Sequence, residues 1–447
     1  MLKIYNTATR KIENFKPINE VVRIYTCGPT VYNFQHIGNY AAYIYWDLLI
    51  RVLKFDGYKV KRVLNFTDVG HLVSDGDEGE DKLEKGAARE GKSVYEVAKF
   101  YGDDFLRNFR ALNLVEPDLI AHATDYIEDD IKAVDKITAG GYTYETEDGV
   151  YFDTSKFAKY ADFARLKLDG LQAGARVDYN TEKRNPSDFA VWKFIKPGEK
   201  HAMRWDYLDR PGYPGWHLEC STIIEKELGS PIDIHTGGMD HIPVHHTNEI
   251  AQTFAMTGRD LAKYWLHCDF ITINGEKISK SLGNVYTLDD LAKKGFAPLD
   301  FKMWVLQGHY QGTRNFTFDS LQAAKNRLSK WRNRVALCCQ TCEIEETNIV
   351  DLVIEALNNN LNSPEAFKII DNSELNYQDW EKIDELFGLE LMVEELPDDL
   401  KTLLDKRQKA REEKDFLKAD EIRDELLAHG IEVKDTADGP IWQYASS

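Results

Sequence analysis

Two short stretches of this chain hold side chains suited to handling phosphate: His36-Ile37-Gly38-Asn39 and, far downstream, Lys277-Ile278-Ser279-Lys280-Ser281. In the first, His36 and Asn39 can donate hydrogen bonds, and Gly38 lets a ligand approach the backbone. A helix beginning there presents N–H groups and its positive dipole end. In the second, Lys277 and Lys280 sit on a Ser-rich loop after an Asn274-Gly275 turn. Mobile ammonium groups can neutralise the charge on a triphosphate whose α-phosphorus is attacked as pyrophosphate leaves. Alone, each stretch also has an ordinary reading, as a helix cap with an incidental histidine and as a solvated basic loop.

The surrounding pattern supplies the elements that position them. An apolar run ending at Cys27 meets a Gly28-Pro29 turn, then a long stretch of helical apolar spacing, then a second apolar run from Tyr58 to Phe66. This reads as strand, loop, helix and strand, with the first motif at the carboxyl end of the first strand of a βαβ unit, where nucleotides bind. The lysine loop follows another apolar run, Tyr264 to Ile273. A third phosphate pattern, Gly86 to Ser93, matches G-x-x-x-x-G-K-S/T letter for letter but follows the charged run EGEDKLEK. A true phosphate loop follows a buried strand, so this segment reads as a surface helix with a Gly break.

Four spaced segments extend the two motifs: CGPTVYNFQHIGN at 27–39, GWHLECS at 215–221, GGMDHIPVHHTNEIAQ at 237–252 and KISKSLGN at 277–284. In this order they resemble the class I aminoacyl-tRNA synthetases, whose adenylate-forming site carries motifs written HIGH and KMSKS, and among these the cysteinyl-tRNA synthetase family. The likeness covers nearly the whole chain. It continues into RQKAREEKDFLKADEIRDELLAHGIEVKDTADGPIW, similar to the family's carboxyl-terminal tRNA-binding region.

The resemblance implies ATP-dependent attachment of L-cysteine to tRNA(Cys) through a cysteinyl adenylate. Mg²⁺ would accompany the ATP. His36 and Asn39 would hold phosphates with Gly38, Lys277 and Lys280 would stabilise the leaving pyrophosphate, and Gly238 with Asp240 would lie near the adenosine. One Zn²⁺ would be held by Cys27, Cys220, His245 and Glu249 and would select the substrate thiolate, with Trp216 lining that pocket. The chemistry of the residues agrees: His245 and Glu249, four apart on a segment that can be helical, project from one face, and two thiolates, an imidazole and a carboxylate suit tetrahedral zinc. Such cysteines also occur as small buried hydrophobes, and His217, His235, His241 and His246 compete as ligands. Asn39 departs from the family's usual histidine, keeping a donor without the positive charge. The acidic stretch NFTDVGHLVSDGDEGEDKLEKG at 65–86 is longer than the family pattern leads one to expect. Its Asp75, Asp77, Glu78, Glu80 and Asp81 lack a calcium-loop spacing and read as a solvated loop.

The expected architecture is α/β: a Rossmann-type catalytic domain with an inserted α+β domain, then a mainly α-helical tRNA-binding region. Its parts are the first catalytic half at 1–125, an insertion at 126–212, the second half with the zinc site at 213–271, a junction with the lysine loop at 272–325, a helical bundle at 326–396 and an anticodon-binding region at 397–447. Trp442 is a candidate stacking surface for an anticodon base.

Composition bounds the rest. With 447 residues, 43% hydrophobic and 12% aromatic content, the chain can build several cores and is not a disordered polymer. No apolar stretch reaches membrane-spanning length, the amino-terminal stretch lacks a signal-peptide core, and six cysteines in no compact framework suit a reducing compartment, so a cytoplasmic protein is expected, and the resemblance implies a monomer. Cys338, Cys339 and Cys342 read as packing on a helix. A net charge of -19 sits awkwardly with binding tRNA, which leaves the basic helices at 325–334 and 406–414 as the expected sources of phosphate contacts. Three other functions compete: a cysteine:amine ligase of the mycothiol-pathway type, which would lack the full carboxyl-terminal region, a catalytically silent synthetase-like protein that binds tRNA, and a phosphate-loop ATPase built on Gly86 to Ser93, which would depend on Lys92 and not on Lys280.

Overall fold

The computed structural model describes residues 1–69, 84, 86–88, 91–166, 181–196, 198–199, 201–279, 282–341, 347–392, 396–436 and 439–445. Lys280, Ser281, Cys342 and the acidic residues Asp75, Asp77, Glu78, Glu80 and Asp81 lie outside them.

The apolar run before Cys27 forms β1 (Val21–Thr26), and the helical spacing beyond it forms α1 (Ile37–Phe55). There follow β2 (Lys59–Phe66), α2 (Val94–Ala111) and β3 (Leu119–His122). After an insert come α3 (Trp216–Glu227), β4 (Ile232–Gly238), α4 (Thr247–Thr257) and β5 (Ala262–Cys268). The five strands form one parallel sheet in the order β5-β4-β1-β2-β3. β4 is buried from Ile232 to Gly237, the continuous apolar burial of a strand covered on both faces. The chain leaves β1 toward β2 on one side and returns to β4 on the other, so the order reverses between β1 and β4. Ligands bind in the crevice at such a reversal.

The insert holds a helix, Ile127–Ala139, and an antiparallel sheet of Thr143–Thr146, Gly149–Phe152, Phe189–Phe194, Arg210–Pro214 and Trp205–Tyr207 in that neighbour order. Its core is built on Phe152, Phe189, Val191 and Trp192. The Pro- and Gly-rich stretch expected to close the insert at 212 is itself a strand and runs to Pro214. Gly212 sits against the Trp192 indole where a Cβ would collide, which is why a glycine belongs in the strand.

A three-stranded sheet, with Ile271–Ile273 between Glu276–Lys277 and Arg314–Phe316, carries the lysine loop. Beyond it run the helix Pro298–Leu306, the long helix α5 (Phe318–Thr341) and three helices at 349–358, 363–372 and 377–387. The chain ends in α6 (Asp398–Glu412), α7 (Phe416–Ala428) and a hairpin, β6 (Ile431–Thr436) with β7 (Gly439–Tyr444). Helix therefore begins at Phe318, ahead of the expected 326. Trp442 is half-buried on β7 against the leucines of this last unit and edge-to-face with Tyr444 at 5.7 Å. Gly86 to Ser93 leads into α2, where Ser93 caps the helix in a reciprocal box with Glu96 and Lys92 lies over Phe100. Among the described residues no helix is long and apolar enough to cross a membrane.

α1 is apolar nearly all round because it lies between the sheet and the later helices, and one charged cluster crosses that packing. Lys302 donates to Asp47 at 2.9 Å with both side chains 1% exposed, and Arg51 reaches the same carboxylate at 2.8 Å. Lys302 and Arg51 also donate to the Asn113 carbonyl, and the Val115 N–H donates to Asp47. Burial pushes Lys302 down to about 8 against the opposing pull of Asp47, while Asp47, which burial would raise, is held below its ordinary value by Lys302 and Arg51. Asp47→Ala leaves the Lys302 ammonium unpaired in the core and is expected to cost about 3–5 kcal/mol in urea unfolding, whereas Asp47→Leu with Lys302→Met costs much less. Equal losses for the single and double variants would contradict this account.

Candidate active site

The phosphate motif is built by the start of α1. His36 is the N-cap: its Nδ1 accepts from the Asn39 N–H at 3.3 Å, and Asn39 Oδ1 accepts from the His36 N–H at 3.1 Å. This reciprocal box puts the ring proton of His36 on Nε2, and it gives Asn39 a task, an oxygen accepting a backbone N–H, that spacing alone did not reveal. The Ile37 N–H donates to the Tyr286 carbonyl at 2.9 Å, tying the helix start to the segment after the lysine loop. Ile278 packs on the motif itself: a Cβ at Gly38 would come 2.8 Å from Ile278 Cδ1 and 3.0 Å from the His36 ring.

Lys277 is exposed on its short strand. Asn284 braces the loop beside it, donating to the Lys277 carbonyl at 3.1 Å and accepting from the Ser279 N–H at 2.8 Å. Sequence reasoning quoted Asn284 without a role; its signal is a side-chain amide placed to close a turn.

Across the crevice, β4 ends at Gly237-Gly238. A Cβ at Gly237 would lie 2.6 Å from the His246 ring and 2.8 Å from His241 Nδ1, so the backbone must pass these rings bare. Asp240 follows on an exposed turn. Behind it the chain coils through Ile242–His246 into α4, which points His245 and Glu249 the same way.

Cys27, from the end of β1, and Cys220, on α3, meet them. One ligand atom from each of Cys27, Cys220, His245 and Glu249 lies within 4.8 Å of the others, all four residues buried. Cys27, His235, His246 and Glu249 satisfy the same criterion, so two of the rival histidines share the cluster. Glu249 is its centre, 2.8 Å from both His245 Nε2 and His235 Nε2. His217 meets the other nitrogen of His245 at 2.9 Å, and His246, 3.4 Å from the Cys27 sulfur, meets His267 at 2.7 Å, which in turn meets Thr7. His267 and Thr7 were not singled out from the sequence; only the fold brings the amino-terminal hairpin of Lys3–Asn6 and Lys11–Asn14 to β5.

Burial alone would strip charge from these groups. It pushes His246 and His267 well down and His241 to about 4. His245 goes the other way, to about 10, because Glu249 outweighs burial, and Glu249 lies below its ordinary range because His235 and His245 outweigh burial there. Burial raises the Cys27 thiol, and the hydrogen bond with Cys27 together with burial raises Cys220 well up. The fully buried Tyr25 hydroxyl lies beside both thiols and Glu249 and hydrogen-bonds with Cys220. Two soft donors, a carboxylate and an imidazole gathered in one buried cluster make a donor set that a divalent cation and deprotonated thiolates would complete.

Cys27, His36, Gly38, Asn39, Trp216, Cys220, Gly238, Asp240, His245 and Lys277 all line one cavity of about 640 Å³. Trp216, the first residue of α3, is half-buried with its ring 4.7 Å from that of His245. Asn65 and Thr67 join the lining: Asn65 accepts from the Gly28 N–H at 2.8 Å and fixes the loop after Cys27. On the two basic helices the arginines are engaged within the fold. Arg327 pairs with Asp371, Arg332 and Arg334 donate to carbonyls at 389, 390, 370 and 373, and Arg407 and Arg411 hold Asp435. Of the two stretches the exposed lysines, Lys330, Lys406, Lys409 and Lys414, face solvent. Cys338 is buried and Cys339 exposed on α5.

A family model described as the class I (C) tRNA synthetase catalytic domain matches residues 14–326, and one described as the cysteinyl-tRNA ligase anticodon binding domain matches residues 393–442. A cysteine--tRNA ligase of Treponema denticola is 37% identical over 99% of this chain and 99% of its own length. Cysteine--tRNA ligase 1 of Burkholderia lata is 42% identical over 98% and 96%. In fold, the chain is similar to a Mycobacterium tuberculosis methionyl-tRNA synthetase bound by methionyl-adenylate, with a TM-score of 0.57 and 15% identity over 84% of each chain.

The thiols give a direct test of this geometry. In chelator-treated protein at pH 7.5, Cys339 is expected to react with iodoacetamide at least about tenfold faster than Cys27 or Cys220, whose raised values leave little thiolate. Timed alkylation read by peptide mass spectrometry checks this, and fast labelling of Cys220 contradicts it.

Proposed function

The chain belongs to the cysteine--tRNA ligase family of class I aminoacyl-tRNA synthetases, and from that premise we propose that it joins L-cysteine to tRNA(Cys) through a cysteinyl adenylate, using ATP with Mg²⁺. The observation that carries this reading is the single cavity: a phosphate-binding helix start, a lysine loop and a soft-donor cluster open into the same space.

ATP phosphates would lie at the start of α1, where His36, Gly38 and Asn39 line the cavity and Gly38 leaves room. The adenosine side would lie along Gly238 and Asp240. The cysteine carboxylate attacks the α-phosphorus, and pyrophosphate leaves toward Lys277 and Lys280, whose charges offset that developing on it. A hydroxyl of the terminal tRNA ribose then attacks the adenylate carbonyl and releases AMP. Much of the rate comes from holding the reactants in line, and Ile278 on Gly38 with Asn284 bracing the Lys277 carbonyl would hold Lys277 beside the phosphates.

Cys27, Cys220, His245 and Glu249 would hold one Zn²⁺, with His217 fixing the His245 ring and His235 fixing Glu249. Such an ion supplies a soft Lewis acid to which a substrate thiol binds as thiolate and a serine hydroxyl does not. Trp216 closes the pocket around the side chain. Exclusion of serine therefore rests on bond type and needs no second editing site.

The parts 1–125, 126–212, 213–271, 272–325, 326–396 and 397–447 are proposed as the working divisions, in a cytoplasmic monomer. The carboxyl-terminal unit favours tRNA over a small amine as acceptor, since a ligase for a small molecule has no need of it. Asn39, the feature that pointed to a silent protein, has its own structural task in the cap.

Cysteine-dependent exchange of pyrophosphate into ATP tests the adenylate step. Exchange with cysteine, none with serine, and loss on zinc removal or in Cys220→Ala are expected; folded, zinc-loaded protein without exchange overturns the reading. In Gly38→Ala the new Cβ displaces Ile278 and the His36 ring, so kcat for exchange is expected to fall about 10–100-fold with zinc content unchanged. Retained exchange in that variant would remove the Ile278 contact from the mechanism.

A further inference from the structure

The carboxyl-terminal unit has a core of its own, built on Leu396, Leu400, Ile422, Leu426, Ile431 and Val433 and separate from the main one. Among the described residues, its only extensive contact with the rest of the protein is β7 against α5. β7 pairs with β6 on one edge, Trp442 opposite Val433 and Tyr444 opposite Ile431. Its other edge presents the N–H and C=O groups of Trp442 and Tyr444, the alternating set that a sheet edge leaves unpaired.

α5 meets that edge with side-chain amides instead of a strand. Gln340 Nε2 donates to the Trp442 carbonyl at 2.9 Å, and Gln340 Oε1 accepts from the Trp442 N–H at 2.8 Å. Asn333 Nδ2 donates to the Tyr444 carbonyl at 3.1 Å, and Asn333 Oδ1 accepts from the Tyr444 N–H at 3.0 Å. The two residues are about two helical turns apart and share a face. Each amide offers the donor and acceptor of a peptide group, so the pair replaces the missing neighbour strand. A slip of β7 by one residue would aim both amides at residues whose groups point toward β6, so the joint admits one register. α5 is itself pinned to the body by the Arg327, Arg332 and Arg334 contacts and by the buried Trp331.

We propose that Asn333 and Gln340 are positioning residues for the tRNA substrate, setting the carboxyl-terminal unit at the distance and angle from the adenylate site that one rigid tRNA needs to engage both. This rests on the reading that the chain charges tRNA. A rigid ligand held at two points gains from the second contact only while their spacing is kept, so loosening the joint weakens tRNA binding and leaves adenylate formation alone.

The test compares the full-length chain with Asn333→Ala/Gln340→Ala and with Asn333→Asp/Gln340→Glu, which keeps shape but turns carboxylates toward the Trp442 and Tyr444 carbonyls. In both doubles KM for tRNA is expected to rise about tenfold or more, with cysteine-dependent pyrophosphate exchange within about twofold of wild type. An unchanged KM for tRNA in a double variant whose circular dichroism and unfolding midpoint match wild type overturns the proposal. So does exchange that falls in step with charging, which marks a general structural defect. Failure of the wild-type chain to charge tRNA overturns the functional reading and the role of the joint with it, and the wild-type control makes that outcome distinct from the other two.

Discussion

β1 and β4, distant in sequence, run side by side, and the shared carboxyl end of these strands is the constraint on which the rest of the site depends. Ile24, Tyr25 and Thr26 pair with Ile234, His235 and Thr236, and the Cys27 N–H continues the ladder to the Thr236 carbonyl. Because the strand order reverses here, no crossover helix covers the gap between them, and loops from both strands face one space. The helix start at His36 leaves one lip and the Gly237-Gly238 turn leaves the other. Cys27 is the hinge of the arrangement, close enough to β4 to reach the histidine cluster and ten residues before α1 begins at Ile37.

A dry pocket full of ionisable side chains is costly unless each charge is answered. Here Glu249 answers most of them. It holds His245 and His235 at one end of a chain of rings, while His246 and His267 are kept neutral by burial and satisfied through Thr7. The thiols stay protonated on their own, so a cation that enters must displace protons, and its affinity falls as pH falls. The same logic governs the Asp47, Lys302 and Arg51 cluster, where three elements share one carboxylate and a break at any point strands a charge. Both clusters touch α1 or β1, so the element that starts the phosphate site is also the one most firmly fixed.

Local patterns carried the sequence reading a long way. Strand, turn and helix around Cys27 and His36 were legible because periodicity and a Gly-Pro turn are local signals, and the His245 to Glu249 spacing was legible because a helix repeats. What spacing could not reveal depends on partners far along the chain. His217 and His235 were rivals on paper, and only the packing of α3 and β4 against the segment leading into α4 assigns each an atom to meet. Asn39 read as a weakened histidine because a capping box is visible only once the helix start is fixed. The hairpin of β6 and β7 was absorbed into a helical reading because alternation over so few residues is a faint signal beside the strong helical pattern before it. The basic stretches at 325–334 and 406–414 read as sources of phosphate contacts, and within them the arginines meet helix carboxyl ends or an aspartate of their own fold, targets that sequence does not show.

That last point bears on how a chain with a net charge of -19 can work on a polyanion. Counter-ion release from many phosphate contacts is the usual source of nucleic-acid affinity, and here the arginines are spent on internal contacts. The exposed lysines Lys330, Lys406, Lys409 and Lys414 remain, together with Lys277 at the cavity. Two modest contact regions on an acidic body give strong, selective binding only if they are held at a fixed separation, because the second contact then forms at high effective concentration. Rigidity between the cavity and the carboxyl-terminal unit thus does work that charge does elsewhere. It explains why arginines are invested in pinning α5, and why the outer edge of β7 is met by two side-chain amides and not left to solvent.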